Sequence, residues 1–266
     1  MGAAFGLGFV IGPAIGGFLG EYGPRVPFFV AAAISLCNFT YGYFVLPETL
    51  STELRRPFSF ARSNPFGTFR VFATYRQVLP LCVVMFIYYF ASSVYPAIWP
   101  YWAIARFGWS ETTIGLTLAC FGFVTAISQG VLTGPVVKSF GEKRTVILSL
   151  TMAAVAAVGF ALAPSVGAVI FFSIINAPEG FGDPALTALM SRDAPTDAQG
   201  ELQGGIASAK NVAMLLGTPM FAQIFGYFLK DGSAVAAANA SFYTTAALCI
   251  LALAIFARLP KHSEKV

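Results

Sequence analysis

The chain has 266 residues, of which 57% are hydrophobic and 11% are charged, and its mean hydropathy is +0.73. Soluble domains carry about 25% charged residues, so this composition excludes a soluble enzyme or binding domain and indicates a protein of the lipid bilayer. The net charge of +4 comes mostly from Lys and Arg in a few polar loops, a distribution that argues against a nucleic-acid-binding surface.

Apolar windows long enough to cross a bilayer follow one another along the whole chain. They cover residues 2–20, 27–46, 80–102, 112–137, 145–163, 166–190, 203–228 and 236–257. The sequence therefore predicts an all-α polytopic membrane helix bundle with eight transmembrane helices.

The first window carries a glycine every fourth residue, at Gly8, Gly12, Gly16 and Gly20. Such a stripe lets two helix backbones approach closely. A stripe of small residues in the fourth window matches it, at Gly115, Ala119, Gly122, Ala126, Gly130 and Gly134. We therefore predict that the first and fourth spans pack against each other.

The polar segment 47–79 is rich in Pro, Ser and Arg and separates two spans from six. It predicts three parts: residues 1–46 as two helices of an incomplete amino-terminal bundle, 47–79 as a cytoplasmic linker loop, and 80–266 as a six-helix bundle with a short cytoplasmic tail. Basic residues are concentrated in this linker, in the loop around residue 140 and in the tail, which predicts that both termini are cytoplasmic.

Five motifs resemble the tetracycline-efflux family of the major facilitator superfamily, which comprises drug:proton antiporters. GLGFVIGPAIGG at 6–17 resembles the antiporter motif of the fifth helix, with Gly8, Gly12, Pro13, Gly16 and Gly17 at its packing positions. GPVVKSFGEKR at 134–144 is similar to the cytoplasmic loop motif, through Gly134, Lys138, Gly141, Lys143 and Arg144. FVLPETL at 44–50, RFGWSETTIG at 106–115 and SRDAPTDAQGELQG at 191–204 resemble further loops of that family.

The resemblance implies helices five to twelve of a twelve-helix transporter of the bacterial inner membrane, without the first four helices. It implies proton-coupled efflux of a drug or another small molecule. Lys138 stands where the first-half copy of the loop motif is usually acidic, and Ala153 where tetracycline exporters carry an aspartate, which weakens tetracycline as the substrate. The alternative is a remnant that does not transport, or one half of a transporter that works with a partner protein.

Two carboxylates stand in the sixth window, Glu179 and Asp183. A helical rise of 1.5 Å per residue places them about 16 Å and about 10 Å from its cytoplasmic end. Lys210 in the next window lies at the depth of Asp183, so we predict an Asp183–Lys210 ion pair. This pair is either a staple that lets both charges enter the membrane or a cytoplasmic gate.

Glu179 is left without a countercharge near the middle of the bilayer. Pro178, Gly180, Gly182 and Pro184 interrupt the helix around it, and broken helices at the midplane often form transporter binding sites. We expect Glu179 to couple transport to protons or to bind substrate. The alternative is a glutamate hydrogen-bonded to a neighbour in the core.

Other polar or aromatic residues inside the windows are candidates to line a cavity, or equally to hold helices together through hydrogen bonds. They are Gln129, Asn176, Asn211, Gln223, Tyr88 and Tyr89. The four cysteines lie inside windows without metal-ligand spacing, so no metal and no cofactor are expected. The expected partners are membrane lipid, protons, a small-molecule substrate and no nucleic acid.

GFGDPAL at 180–186 also matches the GxGD pattern of intramembrane aspartyl proteases. Those enzymes use a second aspartate from another helix, so that two carboxylates share a proton. The remaining aspartates of this chain are Asp193, Asp197 and Asp231, all in predicted loops, which makes the protease a remote alternative and predicts no enzyme activity.

Overall fold

The structure is a computed structural model that describes residues 2–45, 72, 75–194, 199–230 and 234–259, and these residues are helical with no strand among them. The α-helices are α1 (Gly2–Gly20), α2 (Val26–Val45), α3 (Leu79–Ser92), α4 (Val94–Phe107), α5 (Glu111–Ile127), α6 (Thr133–Leu162), α7 (Val166–Ile175), α8 (Gly182–Arg192), α9 (Gln199–Lys230) and α10 (Ala234–Arg258). Most of the predicted linker lies outside the described residues.

Five stretches of the described chain are long and apolar enough to cross a membrane. They are Val26–Val45, Leu79–Phe107, Glu111–Leu162, Gln199–Leu229 and Asn239–Arg258. The stretch from Glu111 to Leu162 holds 52 residues, more than twice the roughly 20 that one crossing needs, and it includes a sharp turn. The all-α membrane fold is confirmed, whereas the number of eight spans stays a prediction.

The third span differs from the continuous helix expected at 80–102. It consists of α3 and α4, separated by Ser93, and it extends to Phe107. Pro96 has no backbone N–H, so the carbonyl of Ser92 four residues earlier loses its helical donor. The span is therefore interrupted at Ser92 and Ser93, near its middle.

The fourth and fifth spans are joined more tightly than the predicted loop at 134–144. A five-residue π-turn, Ser128–Leu132, connects α5 to α6, and α6 then changes direction at Gly141. Gly141 has φ 76° and ψ 158°, a backbone conformation that only glycine adopts without strain. The expected loop is thus a helical segment closed by a one-residue corner.

The sixth span is interrupted where its prolines and glycines predict it. Helix α7 ends at Ile175, a 3₁₀ turn covers Ala177–Phe181, and α8 begins at Gly182. Pro178 and Pro184 each lack the N–H that a continuous helix would use. The predicted interruption around Glu179 is confirmed.

Helix α1 packs along α5, which confirms the predicted contact between the first and fourth spans. The contact is made by backbone: a Cβ atom added at Gly17 would lie 2.9 Å from the Cα of Gly115 and 2.7 Å from the carbonyl oxygen of Glu111.

The prediction that the glycine stripe of the first span forms the contact is wrong for most of the stripe. A Cβ at Gly8, Gly12 or Gly16 would have no neighbour within 4 Å, and the same holds for Gly130 and Gly134. Gly20 is the member of the stripe that is covered, by the side chain of Glu111. Pairing therefore involves the face that carries Pro13, Gly17 and Gly20, next to the predicted stripe.

Two apolar clusters form the core of the remaining helices. One contains Leu81, Met85, Leu150, Leu186 and Phe256, and the other is rich in aromatic side chains, including Trp99, Trp102, Phe160, Phe221 and Phe242. A thin layer of small buried residues separates them, formed by Ala91, Ala153, Ala154 and Cys249. Ser92 and Glu179 lie at this layer.

Candidate functional site

Glu179 lies midway between Val166 and Arg192, in the 3₁₀ turn, and its side chain is 8% exposed. Its carboxylate accepts a hydrogen bond of 2.9 Å from the hydroxyl of Ser92, and another from the side-chain amide of Asn176. The ring of Tyr88, on α3, lies beside the same carboxylate. The site therefore joins the interruption of the third span to the interruption of the sixth.

Two further serines stabilise the backbone of the turn. The Ser149 hydroxyl donates to the carbonyl of Glu179 at 2.8 Å, and the Ser128 hydroxyl donates to the carbonyl of Ala177 at 2.5 Å. The Glu179 carbonyl also accepts from the backbone N–H of Gly182, so the Ser149 hydroxyl is its second donor. Ser149 lies on α6 and Ser128 on the π-turn. Together with Ser92 on α3, they connect the 3₁₀ turn to three neighbouring segments.

The two glycines of the turn provide the room for this contact. A Cβ at Gly180 would lie 3.0 Å from the Cγ of Gln129, and one at Gly182 would clash with the hydroxyl of Ser149. A side chain at Gly180 would push the 3₁₀ turn away from the π-turn, and one at Gly182 would push it away from α6.

Asp183 and Lys210 form the predicted ion pair, which joins the first turn of α8 to α9. Their side chains are 32% and 20% exposed, so the pair is half-buried rather than enclosed. The Lys210 Nζ also lies 5.1 Å from the centre of the Tyr89 ring, a cation–π contact.

The charges of the site do not balance. Among the described residues, Asp183 has its counter-ion in Lys210, whereas Glu179 forms no ion pair and is held by neutral hydrogen-bond donors. A buried carboxylate held in this way is a group whose charge can be removed by a proton without leaving a cation alone.

The structure brings together some of the predicted cavity residues and not others. Asn176 and Tyr88 contact Glu179, Tyr89 contacts Lys210, and Gln129 lies against Gly180. Asn211 and Gln223 are exposed and form no hydrogen bond within the described part of the chain. The sequence analysis missed Ser92, Ser128 and Ser149.

The loop-motif residues lie at the end of the bundle that was predicted to be cytoplasmic. Glu142, next to Gly141, forms a 2.5 Å ion pair with Arg192 at the end of α8. The Lys143 amine donates to the carbonyl of Leu259 at 3.1 Å. Lys138 and Arg144 are exposed. The corner at Gly141 is thus tied to the ends of α8 and α10.

An apolar groove of about 480 Å³ lies between α4 and α9, away from both carboxylates. It is lined by Ala97, Ile98, Tyr101, Ile104, Ala105, Ala222, Phe225 and Leu229. No charged side chain lines it, so it offers no group for proton coupling.

A sequence profile of the Major Facilitator Superfamily matches residues 81–266, more than half of the chain. The chain belongs to the major facilitator superfamily. The matched region contains α3 to α10 and with them both carboxylates, Lys210 and the three serines. The homologues in this superfamily are transporters, and in this chain the aspartate of the GxGD pattern pairs with Lys210.

Curated relatives include tetracycline resistance proteins. The class C protein of Escherichia coli is 36% identical over 225 residues, which are 85% of this chain and 57% of that protein. The class G protein of Vibrio anguillarum is 33% identical over 227 residues, again 85% of this chain and 57% of that protein. The chain thus spans a little more than half the length of the curated relatives it matches.

Among solved structures, the chain is similar to the human organic anion transporter MFSD10 (TETRAN), with a TM-score of 0.72 and 22% identity. That similarity covers 96% of this chain and 62% of the other. At this identity it shows the fold alone, and it extends the family fold to α1 and α2, which the profile does not match.

Proposed function

We propose that the chain acts in proton-coupled efflux of a drug or another small molecule. The observation that supports this is the state of Glu179, a buried carboxylate at a double helix interruption, with neutral donors and no counter-ion among the described residues. The relatives named as tetracycline resistance proteins support an exporter, although Ala153 and Lys138 depart from their pattern.

In this proposal Glu179 holds a proton in one half of the cycle and a cationic group of the substrate in the other. Both states leave the site neutral, whereas an empty carboxylate at this depth costs at least about 2.5 kcal/mol. Proton binding on one side of the membrane thus favours substrate release, and substrate binding on the other favours proton release.

Asp183 and Lys210 are proposed to act as a gate on the cytoplasmic side of Glu179. They link α8 to α9, and their partial exposure lets water reach them. A pair of this kind separates when the two helices move apart and re-forms when they close, with less cost than a fully buried pair. The alternative role is a fixed staple, a pair that stays closed throughout the transport cycle.

We also propose an inner-membrane location with both termini cytoplasmic, and a second helical bundle supplied by the same polypeptide or by a partner. Helix α2 has no buried residue, and Phe28 and Phe44 are 76% and 77% exposed. Alternating access requires two bundles that move about a central site. In this arrangement 1–46 and 80–266 belong to different bundles joined by the 47–79 linker.

Reconstitution of the 266-residue chain into proteoliposomes tests the proposal. With an acidic interior, inside-out molecules should accumulate a cationic dye or tetracycline, and dissipating the pH gradient should stop the accumulation. Glu179→Gln provides the matched control because it keeps the size of the side chain and one acceptor oxygen while removing the titratable group. Accumulation that persists without the gradient, or that Glu179→Gln leaves unchanged, contradicts proton coupling.

If the chain alone accumulates neither compound, the same assay is repeated after co-expression with the amino-terminal half of a related tetracycline exporter. Recovery by the added half supports the two-bundle arrangement. Failure of both assays favours the alternative of a protein that does not transport.

A further inference from the structure

Asn176 hydrogen-bonds the Glu179 carboxylate and is buried, with 2% of its surface exposed. Its side-chain Nδ2 donates to Oε2 of Glu179. The other atom of the same amide, Oδ1, is buried and has no hydrogen-bond partner among the described residues. A buried amide oxygen without a donor is uncommon and calls for an explanation.

The two protonation states of Glu179 need opposite partners. An ionised carboxylate only accepts hydrogen bonds, whereas a protonated carboxyl has an O–H that must donate. The Nδ2 of Asn176 serves the charged form and has no lone pair for the protonated form. A half turn of the amide about its last side-chain bond presents Oδ1, which can accept from the Glu179 hydroxyl.

We propose that Asn176 is a positioning residue that follows the proton state of Glu179, donating through Nδ2 to the carboxylate and accepting at Oδ1 from the protonated acid. The inference rests on the proposed proton coupling by Glu179 and adds to it the residue that stabilises both states. The proton comes from water and returns to water, and no other bond changes.

The position of Asn176 in the chain connects a rotation of its amide to the backbone of the 3₁₀ turn. It is the last residue before the 3₁₀ turn, and its backbone carbonyl accepts from the Glu179 N–H at 2.8 Å. Glu179 in turn accepts from Ser92 at the interruption of the third span. A change in the Asn176–Glu179 hydrogen bond therefore affects the 3₁₀ turn between α7 and α8. It also affects α3, through the hydrogen bond from Ser92 to Glu179.

Other groups around Glu179 do not compete for this role. The titratable side chains that face it or lie one turn away are Tyr88, Tyr89, Tyr95, Cys249 and Asp183. Tyrosine and cysteine side chains are ordinarily neutral between pH 5 and 8. Asp183 is already paired with Lys210. The hydroxyls of Ser92 and Tyr88 also reach the carboxylate, but Asn176 is the contacting residue whose second polar atom is buried without a hydrogen-bond partner among the described residues.

Infrared difference spectroscopy of the complete chain in lipid tests the inference without transport. The protein is labelled with ¹³C at the side-chain carbonyl of asparagine, and spectra at pH 5 and pH 8 are subtracted. We expect a protonated carboxyl band that is absent in Glu179→Gln. Together with it, we expect a shift of one labelled amide band to lower wavenumber, because its carbonyl gains a hydrogen bond.

Variants assign the amide band and supply the control. Asn176→Leu should remove the amide shift while keeping the carboxyl band, and Asn211→Leu should change neither, since Asn211 is exposed and forms no hydrogen bond within the described chain. Asn176→Ser serves the same purpose if the leucine variant does not fold.

A Glu179 carboxyl band without any change at Asn176 overturns this inference and leaves the proposed function standing. The absence of any carboxyl band that depends on Glu179 overturns both. A pH-dependent amide shift that persists in Glu179→Gln also overturns the inference, because the amide would then follow another group.

Discussion

Ser92 and Glu179 are joined by a hydrogen bond of 2.9 Å although 87 positions separate them in the chain. Each stands where a span is interrupted, and the serine hydroxyl donates to the carboxylate of the other interruption. One contact therefore links two points at which the helices lack regular backbone hydrogen bonds. Such points absorb helix movement more easily than continuous helix does.

Replacing Ser92 tests the strength of this link. Ser92→Ala removes a hydrogen bond to a charged group, a contact worth about 1.5–3 kcal/mol. We expect a lower Tm at pH 8 than for the original protein, and a smaller loss at pH 5 if Glu179 is protonated there. Ser92→Thr keeps the hydroxyl and should restore most of the stability. An equal loss in both variants would indicate a packing effect.

The ion pair between Asp183 and Lys210 predicts rescue by charge exchange. Asp183→Lys and Lys210→Asp each place two like charges together, so both single variants should lose efflux. The double variant restores opposite charges and should recover a substantial part of the activity. The measurement is dye efflux from cells, with membrane levels determined by immunoblot. No recovery in a double variant that reaches the membrane would exclude the gate.

The contact of α1 with α5 predicts opposite effects at two glycines of one helix. Gly17→Ala adds a methyl group 2.9 Å from the Cα of Gly115, and such overpacking typically costs about 1–3 kcal/mol. Gly12→Ala has no neighbour within 4 Å and should be neutral, or more stable by up to about 1 kcal/mol from helix propensity. Thermal unfolding in detergent compares them. Equal Tm values would mean that α1 does not pack on α5 through this face.

The corner at Gly141 predicts a cost from backbone conformation alone. An added Cβ meets nothing within 4 Å, yet φ 76° with ψ 158° is strained for other residues, by about 1–3 kcal/mol. Gly141→Ala should lower the Tm, whereas Gly134→Ala, which also has open space and lies within the helix, should not. A Gly141→Ala variant as stable as the original would show that the corner does not need glycine.

Most of the architecture and part of the site were predictable from sequence. Apolar windows indicated the all-α membrane fold, the prolines and glycines around Glu179 indicated the helix interruption there, and depth along neighbouring helices paired Asp183 with Lys210. These features depend on hydropathy and on local backbone chemistry, and both can be read directly from the sequence.

The contacts between helices were harder to predict from the sequence. The choice between the face of Gly12 and that of Gly17 depends on helix rotation, which a stripe of small residues does not specify. The roles of Ser128 and Ser149 depend on how the π-turn and α6 pack against the carbonyls of the 3₁₀ turn. Ser92 does have a signal in the sequence, because Pro96 frees its carbonyl and so marks the interruption of the third span.

The most direct test of proton coupling compares accumulation and substrate exchange in Glu179→Gln proteoliposomes. A neutral glutamine mimics the protonated acid, which can neither release a proton nor hold the cationic group of the substrate. Accumulation driven by a pH gradient should therefore disappear, and exchange of a cationic substrate between preloaded vesicles and medium should weaken. The original protein should perform both. Gradient-driven accumulation by Glu179→Gln at the original rate would contradict the assignment of Glu179 as the proton-coupling residue.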